Sequence, residues 1–328
     1  MHSKASVKIC RACGNVNGNK AVSVKEMNYG LRKVFQYFEC SSCLSLQIQE
    51  IPSNLSTYYP DGYLTVSGGK QIGTVQSKVK RYLLQKRSLH LLGKGDLLGG
   101  VLHHLRGDGF RYDWEWLQKA EADFGSRILD VGCGPGYLIQ ALMEQGFYNC
   151  FGLDRFQMQI LPGVRVQLGE LRDLTETFDY VMLHHSFEHM ENPVEVFGEL
   201  ARIMAPGATL LIRTPVANCY AWRTYGPDWY QIDAPRHIFI PSVKAMNILA
   251  DRAGLEISNV TYDSDRDQIL CSEQYQIDIP LRDERSVYGR GASEFCTSEE
   301  LHLADKLADE LNCKEDGDQA AFYLKRKG

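Results

Sequence analysis

The chain has 328 residues, a formal net charge of −5 at pH 7 and 44% hydrophobic residues. This length allows one large domain plus a smaller module, and the composition provides ample material for an apolar core. The sequence lacks a run of about 18 apolar residues and an apolar signal core after Met1, so it predicts a cytoplasmic protein without a membrane span. The mild negative charge excludes a general nucleic-acid coat but leaves local basic patches open.

Two Cys-x-x-C pairs stand near the N-terminus, Cys10 with Cys13 and Cys40 with Cys43. This pattern suits tetrahedral coordination of zinc by four thiolates, two from each pair. Disulfides or a redox pair are the alternatives, but neither a signal peptide nor a thioredoxin-like βαβ pattern surrounds the cysteines. The sequence therefore predicts a structural zinc ribbon over residues 1–50, in which the metal supplies folding energy that a short module lacks.

Residues 51–112 are predicted to form a connector and helical cap. Between residues 70 and 106 the charged side chains are almost all basic, and apolar residues recur there at helical spacing. The sequence thus predicts a helix with a basic face. That face is either a solvated surface of a packed helix or a patch for a phosphorylated substrate or RNA.

The third predicted domain, residues 113–328, contains an apolar strand that runs into three alternate glycines, Gly132, Gly134 and Gly136. Glycines let a ligand approach the backbone, and the helix predicted next begins with unpaired N–H groups. This arrangement is typical of a nucleotide-type site at the carboxyl end of a strand in an open α/β sheet. The G-x-G-x-G spacing differs from the dinucleotide G-x-G-x-x-G, which disfavours a nicotinamide dinucleotide.

The segment Asp130-Val131-Gly132-Cys133-Gly134-Pro135-Gly136 resembles motif I of the class I S-adenosylmethionine-dependent methyltransferases. The resemblance covers residues 113–328 and implies an α/β fold with a doubly wound, Rossmann-like and mostly parallel sheet. This domain follows the zinc ribbon in the chain. It implies S-adenosylmethionine as cofactor, with Asp130 at the amino group, Asp154 at the ribose, and Glu170 with Leu171 at the adenine. The full set of implied cofactor-binding residues is Asp130, Gly132, Cys133, Gly134, Gly136, Asp154, Glu170, Leu171 and His184.

Strand and helix patterns alternate through the rest of this domain, as a doubly wound sheet requires. The predicted elements are strands at 150–153, 164–168 and 178–183, a helix at 193–204 ended by Ala205-Pro206-Gly207, a strand at 209–212, a helix from Ser242 to Ala253, a strand at 255–262, a helix at 298–311 and a strand at 317–324. By the resemblance, the last of these is the antiparallel closing strand of the sheet.

Residues 185–189 spell H-x-x-E-H, which is also a zinc-peptidase pattern. Peptidase chemistry needs both histidines on a stable helix together with a further ligand. Here the segment directly follows a strand and soon meets Asn192-Pro193. The resemblance instead places it in a loop, with His184 or His185 at the cofactor and Glu188 and His189 facing the acceptor or bracing the loop.

A long irregular segment from Thr214 to Pro241 ends in a Pro-Arg-His sequence that resembles a segment common in this methyltransferase group. Long loops in compact domains are usually functional, and histidine exchanges protons near neutral pH. His237 is therefore the first predicted general base, with His189 and Glu188 as the second choice. Arg236 is predicted to hold a phosphate or carboxylate.

The sequence leaves the methyl acceptor open. Proteins that pair such a zinc ribbon with the Pro-Arg-His segment are often associated with polysaccharide or modified-sugar biosynthesis, so the main expectation is a sugar-type small molecule. RNA is the alternative, since some rRNA methyltransferases carry an N-terminal zinc ribbon and the basic connector would suit phosphates. A cofactor-binding scaffold without catalytic activity is the third hypothesis.

Overall fold

The structure is a computed structural model that describes residues 8–59, 78–95, 97–106, 114–156, 159–288 and 296–328. Residues 70–77 of the predicted basic stretch lie outside these ranges. None of the described helices is long and apolar enough to span a membrane.

Strands and helices alternate through most of the described chain. The strands are β1 (Lys20–Lys25), β2 (Val34–Glu39), β3 (Leu46–Ile48), β4 (Ile128–Val131), β5 (Cys150–Asp154), β6 (Val166–Leu168), β7 (Phe178–His184), β8 (Met204–Pro215), β9 (Phe239–Ile240), β10 (Leu255–Tyr262) and β11 (Gln319–Arg326). The helices are α1 (Lys78–Leu91), α2 (Leu97–Arg106), α3 (Trp114–Lys119), α4 (Tyr137–Glu144), α5 (Pro193–Ile203), α6 (Tyr220–Tyr225), α7 (Val243–Arg252), α8 (Asp267–Gln276) and α9 (Ser298–Cys313).

The larger sheet has the strand order β10-β11-β8-β7-β4-β5-β6. Strand β4 pairs in parallel with both β5 and β7, and β5 pairs in parallel with β6. The chain therefore builds the sheet outward from β4 in one direction and then returns to continue from β7 in the other. This is a doubly wound sheet with its switch point between β4 and β7, which confirms the predicted fold class and marks the edge where ligands bind.

The smaller sheet has the order β1-β2-β3-β9, and its neighbouring strands are antiparallel. Strand β9, only two residues long, pairs Ile240 with Leu46 of the N-terminal segment. The core beneath this sheet contains Tyr37 and Ile48 together with Trp229, all fully or almost fully buried. The N-terminal ribbon thus shares its sheet and its core with the segment around residues 217–240.

Two local features were not predicted. Helix α5 ends at Ile203, within one residue of its predicted end, but the residues expected to end it, Ala205-Pro206-Gly207, already lie inside the strand β8. Gly207 has a φ of 78°, so the backbone does bend there, yet the strand continues on both sides. Helix α8 was missed because its buried residues include Gln268, Ser272 and Gln274, which obscure the apolar periodicity.

The described residues separate into two compact units. The first unit comprises those within Met1–Pro60, His185–Phe197 and Arg213–Phe322. The second unit comprises those within Asp61–His184, Gly198–Ile212 and Tyr323–Gly328. The predicted three-domain organisation with boundaries after residues 50 and 112 stays a prediction.

Candidate active site

The glycine segment of the second unit forms a tight turn at the carboxyl end of β4. The Gly132 N–H donates to the Leu153 carbonyl (2.7 Å), and the Gly134 N–H donates to Asp154 Oδ2 (2.9 Å). Gly136 has a φ of 94°, and a Cβ there would lie 2.6 Å from Val164 Cγ1. Because the left-handed conformation and the close approach both exclude a side chain, this position needs glycine.

Two buried acids flank this turn. Asp130 is 4% exposed, and its burial, with the charge of Asp154 as a second cause, raises its pKa to about 7. Asp154 accepts the Phe156 N–H (2.9 Å) through Oδ1, so both of its oxygens are held by backbone donors. A cationic group beside Asp130 would offset its burial. The α-amino group of S-adenosylmethionine is such a group, so these residues fit the predicted cofactor.

The other predicted cofactor residues lie at the carboxyl ends of β6 and β7. Glu170 forms ion pairs with Arg172 and Arg155 and caps the short turn that starts at Leu171, which is buried. The His184 ring lies 4.3 Å, centroid to centroid, from that of Trp116.

Strands β7, β4, β5 and β6 are parallel neighbours, so their carboxyl ends lie along one edge of the sheet. The second unit therefore places all nine predicted cofactor residues along that edge. Their individual roles stay predictions. The contact of Trp116 with His184 was not predicted, although the short helix α3 contains two tryptophans.

The predicted contact of Asp130 with the cofactor amino group should make cofactor binding dependent on pH. Since the bound amino group favours the carboxylate, S-adenosylhomocysteine should bind about tenfold more tightly at pH 8 than at pH 6, with the change centred near the pKa of about 7. Titration calorimetry across this range measures the effect. The Asp130→Asn variant should bind more weakly and show a flat profile. An unchanged pH dependence in this variant would contradict the assignment.

In the first unit, Arg236 lies in a buried ionic network. Its guanidinium donates to Glu26 (2.7 Å), to Asp233 (2.6 Å) and to the Tyr58 carbonyl (2.9 Å), and the side chain is completely buried. The prediction that Arg236 holds a phosphate or carboxylate of the acceptor is therefore wrong, because the side chain is inaccessible and already engaged with two carboxylates. Its role in this structure is to join the N-terminal segment to the segment before β9.

Glu188, His189 and His237 come together in the same unit. Their potential ligand atoms all lie within 4.8 Å of one another, and the two imidazole centroids are 4.8 Å apart. Glu188 is completely buried and accepts a hydrogen bond from Thr214 Oγ1 (3.0 Å). The structure thus groups the three residues predicted to act on the acceptor, although their catalytic roles stay predictions.

The hydrogen bonds of the two histidines define which ring nitrogen carries the proton. His237 Nδ1 lies 2.7 Å from the Gln231 carbonyl oxygen, and His189 Nδ1 lies 2.9 Å from the Arg236 carbonyl oxygen. A carbonyl oxygen only accepts, so Nδ1 is the donor in each neutral ring. Each Nε2 therefore keeps its lone pair.

Burial and charge set the protonation states in this cluster. Burial, reinforced by the charge of His189, lowers the pKa of His237 to about 4 despite the opposing charges of Asp233 and Glu188. Burial opposes the ionisation of Glu188, but the neighbouring His185 and the other two imidazoles outweigh it and lower its pKa to about 2. At neutral pH the cluster consequently contains a carboxylate beside a neutral imidazole.

The H-x-x-E-H segment does not form a peptidase helix. Residues Phe187–His189 form a single 3-10 turn directly after β7. His185 has a φ of 49°, and its imidazole contacts both Arg213 and Glu188. The two histidines of the motif therefore have different neighbours, in agreement with the expectation of a loop.

The four N-terminal cysteines converge as predicted for a metal site. Cys10 Sγ lies 3.4 Å from Cys43 Sγ, Cys13 Sγ lies 3.6 Å from Cys40 Sγ, and all four sulfurs are within 4.8 Å of one another. Tetrahedral zinc with Zn–S bonds of about 2.3 Å places its sulfurs about 3.8 Å apart. The hydrogen bond with Cys43 lowers the pKa of Cys10, which favours a thiolate. The donor set and its spacing fit zinc.

Comparison with known proteins places the central part of the chain in a family. Residues 100–260 match the family model described as "Methyltransferase domain". The tRNA U34 carboxymethyltransferase of Azotobacter vinelandii is 29% identical over 161 residues, which cover 44% of this chain and 50% of the relative. The enzyme of the same name from Idiomarina loihiensis is 24% identical over 220 residues, or 60% of this chain and 64% of the relative. The chain thus spans about half to two thirds of the length of these curated relatives.

Among solved structures, coclaurine N-methyltransferase bound to N-methylheliamine and SAH is similar with a TM-score of 0.42 and 16% identity, covering 81% of this chain and 80% of that one. The family match includes the glycine segment, both flanking acids and the strands of the switch point. Together with the strand order of the larger sheet, it confirms the resemblance and the cofactor class that this family uses. Residues 100–260 of the chain therefore contain a methyltransferase domain.

Proposed function

We propose that this protein transfers a methyl-type group from S-adenosylmethionine to RNA, with tRNA as the first acceptor class to examine. The observation that carries this proposal is the similarity of 44% and 60% of the chain to two enzymes named tRNA U34 carboxymethyltransferase. Further relatives of that name match a similar share of the chain, 44% and 45%.

The main expectation from the sequence, a sugar-type small-molecule acceptor, is wrong. The relatives compared with this chain are named for tRNA, which agrees with the alternative of RNA methylation. The sugar expectation rested on the pairing of a zinc ribbon with a Pro-Arg-His segment. In this structure Arg236 of that segment is internal, so its side chain is not available to a sugar-type acceptor.

The basic face of α1 adds little support for RNA. The Arg81 guanidinium stacks 3.9 Å from the centroid of the Tyr148 ring, and Arg87 is buried with a hydrogen bond to Gln145. Ser88 also donates to the Gln145 carbonyl (2.8 Å). These contacts favour the interpretation of α1 as a helix packed within the second unit, so the RNA proposal depends on the relatives.

Methyl transfer is an in-line displacement at an already activated carbon, so the protein mainly has to align the acceptor. We assign to His237, His189 and Glu188 the role of contacting the methyl acceptor. The backbone carbonyl of Gln231 holds the His237 ring, and the Glu188 carboxylate, 4.0 Å from His237 Nε2, would stabilise positive charge on it.

The zinc ribbon over residues 1–50, with Cys10, Cys13, Cys40 and Cys43 as ligands, is proposed as a structural module.

We also propose a cytoplasmic location. All ten cysteines are unpaired, which suits a reducing compartment, and RNA acceptors are found there.

The proposed function can be tested by transfer of radiolabel from S-adenosylmethionine. The purified protein would be incubated separately with tRNA, rRNA and a mixture of sugar nucleotides, and unlabelled S-adenosylhomocysteine would serve as the inhibition control. We expect label in tRNA, and mass spectrometry of digested nucleosides then distinguishes a methyl from a carboxymethyl product. Binding of tRNA should also weaken steeply with salt. Label confined to sugar nucleotides, or cofactor binding without transfer to any pool, would contradict the proposal.

A further inference from the structure

The cluster of Glu188, His189 and His237 has the composition of a metal site distinct from the four cysteines. We propose that these three side chains bind one divalent first-row transition-metal ion, through a Glu188 oxygen and the Nε2 atoms of both histidines. Their potential ligand atoms lie within 4.8 Å of one another. Two imidazoles and one carboxylate leave positions open on such an ion.

The hydrogen bonds behind the histidines are those that metal ligands usually have. Each imidazole donates its Nδ1–H to a backbone carbonyl, His237 to Gln231 (2.7 Å) and His189 to Arg236 (2.9 Å). Such a bond fixes the tautomer and the ring orientation of a metal-ligating histidine and makes the other nitrogen a stronger donor. Because backbone atoms supply both acceptors, the two rings are held in place without a metal.

Glu188 provides a second and independent indication. Its Oε2 accepts the Thr214 hydroxyl, but its completely buried Oε1 accepts no hydrogen bond of good geometry from the described residues. That oxygen lies 4.0 Å from His237 Nε2 and 3.3 Å from His185 Nδ1. A buried carboxylate oxygen without a well-aligned hydrogen bond is costly, and a cation between Glu188 and His237 would satisfy it.

The charges around the cluster also favour a cation. The completely buried Glu188 carboxylate forms ion pairs with His185 and His237 among the described residues, whereas the Arg236 guanidinium is paired with Glu26 and Asp233. Arg213, which contacts His185, is itself paired with Asp263. With neutral histidines, the ion pairs of Glu188 with the described residues provide no positive charge. A divalent ion would provide one.

The spacing requires only small movements to reach coordination distances. Donors about 2.1 Å from a tetrahedral ion are about 3.4 Å apart, against 4.0 Å between Glu188 Oε1 and His237 Nε2. His189 is only partly buried, which leaves a route for an ion. Imidazole and carboxylate donors accept Mn²⁺, Fe²⁺, Co²⁺ or Zn²⁺, whereas the four thiolates favour zinc. The two sites should therefore differ in metal preference.

A bound ion would use the lone pairs that a general base needs. The metal-loaded protein would then have neither His189 nor His237 available as a proton acceptor. Metal binding does not depend on which acceptor the protein methylates. A failure to bind metal would therefore leave the proposed function intact, and a failure of methyl transfer to RNA would leave the proposed metal site intact.

Mn²⁺ is the probe for this site, because four thiolates bind it poorly. The full chain would be titrated with Mn²⁺, and the free ion would be measured by electron paramagnetic resonance. We expect one bound Mn²⁺ per chain. Glu188→Gln, which preserves shape, and His237→Ala should each weaken binding more than about tenfold. His302→Ala is the matched control, since His302 is exposed on α9 of the same unit. It should bind like the unmodified protein.

Folding of the variants is checked by their zinc content and thermal unfolding. Weaker Mn²⁺ binding with unchanged zinc content in either cluster variant supports the site. The proposal is overturned if the unmodified protein binds no Mn²⁺ equivalent, or if both cluster variants bind Mn²⁺ as well as His302→Ala does. Should His237→Ala fail to fold, the Glu188→Gln result alone decides.

Discussion

Replacement of Arg236 by alanine is expected to lower the free energy of unfolding by about 3–5 kcal/mol. The guanidinium is completely buried between Glu26 and Asp233, and it also donates to the Tyr58 carbonyl. Its removal leaves two buried carboxylates without a counter-charge, and their desolvation is then uncompensated. Urea-induced unfolding followed by tryptophan fluorescence measures the change, because Trp229 is buried in the same unit.

Arg32→Ala is the matched control for this prediction. Arg32 also pairs with an aspartate, Asp278, at 2.9 Å in the same unit, but the two side chains are 45% and 54% exposed. Solvent screens such a pair, so its loss should cost no more than about 1 kcal/mol. Equal destabilisation by the two substitutions would show that the buried network contributes no more than a surface ion pair.

The sequence predicted those elements whose signals are local. Alternating side chains in Val34–Glu39 predicted β2, and β10 occupies the predicted residues Leu255–Tyr262. Helix α7 begins after Ser242, whose side chain accepts the Ala245 N–H as an N-cap should. Thr297 and Glu300 likewise form a capping box at the start of α9. In each case neighbouring residues contain the necessary information.

The sequence did not predict contacts between distant segments. Strand β9 has only two residues, too few for a periodic pattern, and it forms only because β3 supplies its pairing partner. The Tyr37 hydroxyl donates to the His237 carbonyl (2.8 Å), again across a long sequence separation. Tertiary pairing of this kind overrides local propensity. The segment before β9 was therefore predicted to be an irregular loop over the acceptor, whereas it packs with the N-terminal ribbon.

The candidate site also contains residues with local sequence signals and residues whose contacts come from distant segments. The glycine segment could be identified because its residues are contiguous and each has a geometric reason to be there, such as the positive φ of Gly136. The buried network of Arg236 with Glu26 could not, since nothing near Glu26 in the sequence marks it as the partner of a distant arginine. Arg236 was consequently predicted to bind an acceptor group, although its charge is balanced inside the protein.

Serine replacement of both Cys40 and Cys43 is expected to abolish zinc binding and to unfold the ribbon that contains β1, β2 and β3. Protein purified without chelator should contain about one zinc per chain, and the double variant close to none, as measured by elemental mass spectrometry. Zinc binding contributes about 10–16 kcal/mol to the folding of zinc-finger peptides. The loss should therefore exceed that of any single side chain in this module.

The consequence should extend beyond the ribbon, because β3 pairs with β9 and Tyr37 bonds to the carbonyl of His237. We expect amide hydrogens of β9 to exchange faster in the double variant, together with those of β2. Cys313→Ser is the control, since Cys313 is exposed and lies outside the four-cysteine cluster, and it should retain both zinc and protection. A double variant that keeps a full zinc equivalent would place the metal elsewhere. One that loses zinc yet keeps β9 protected would show that the small sheet is stable without its metal.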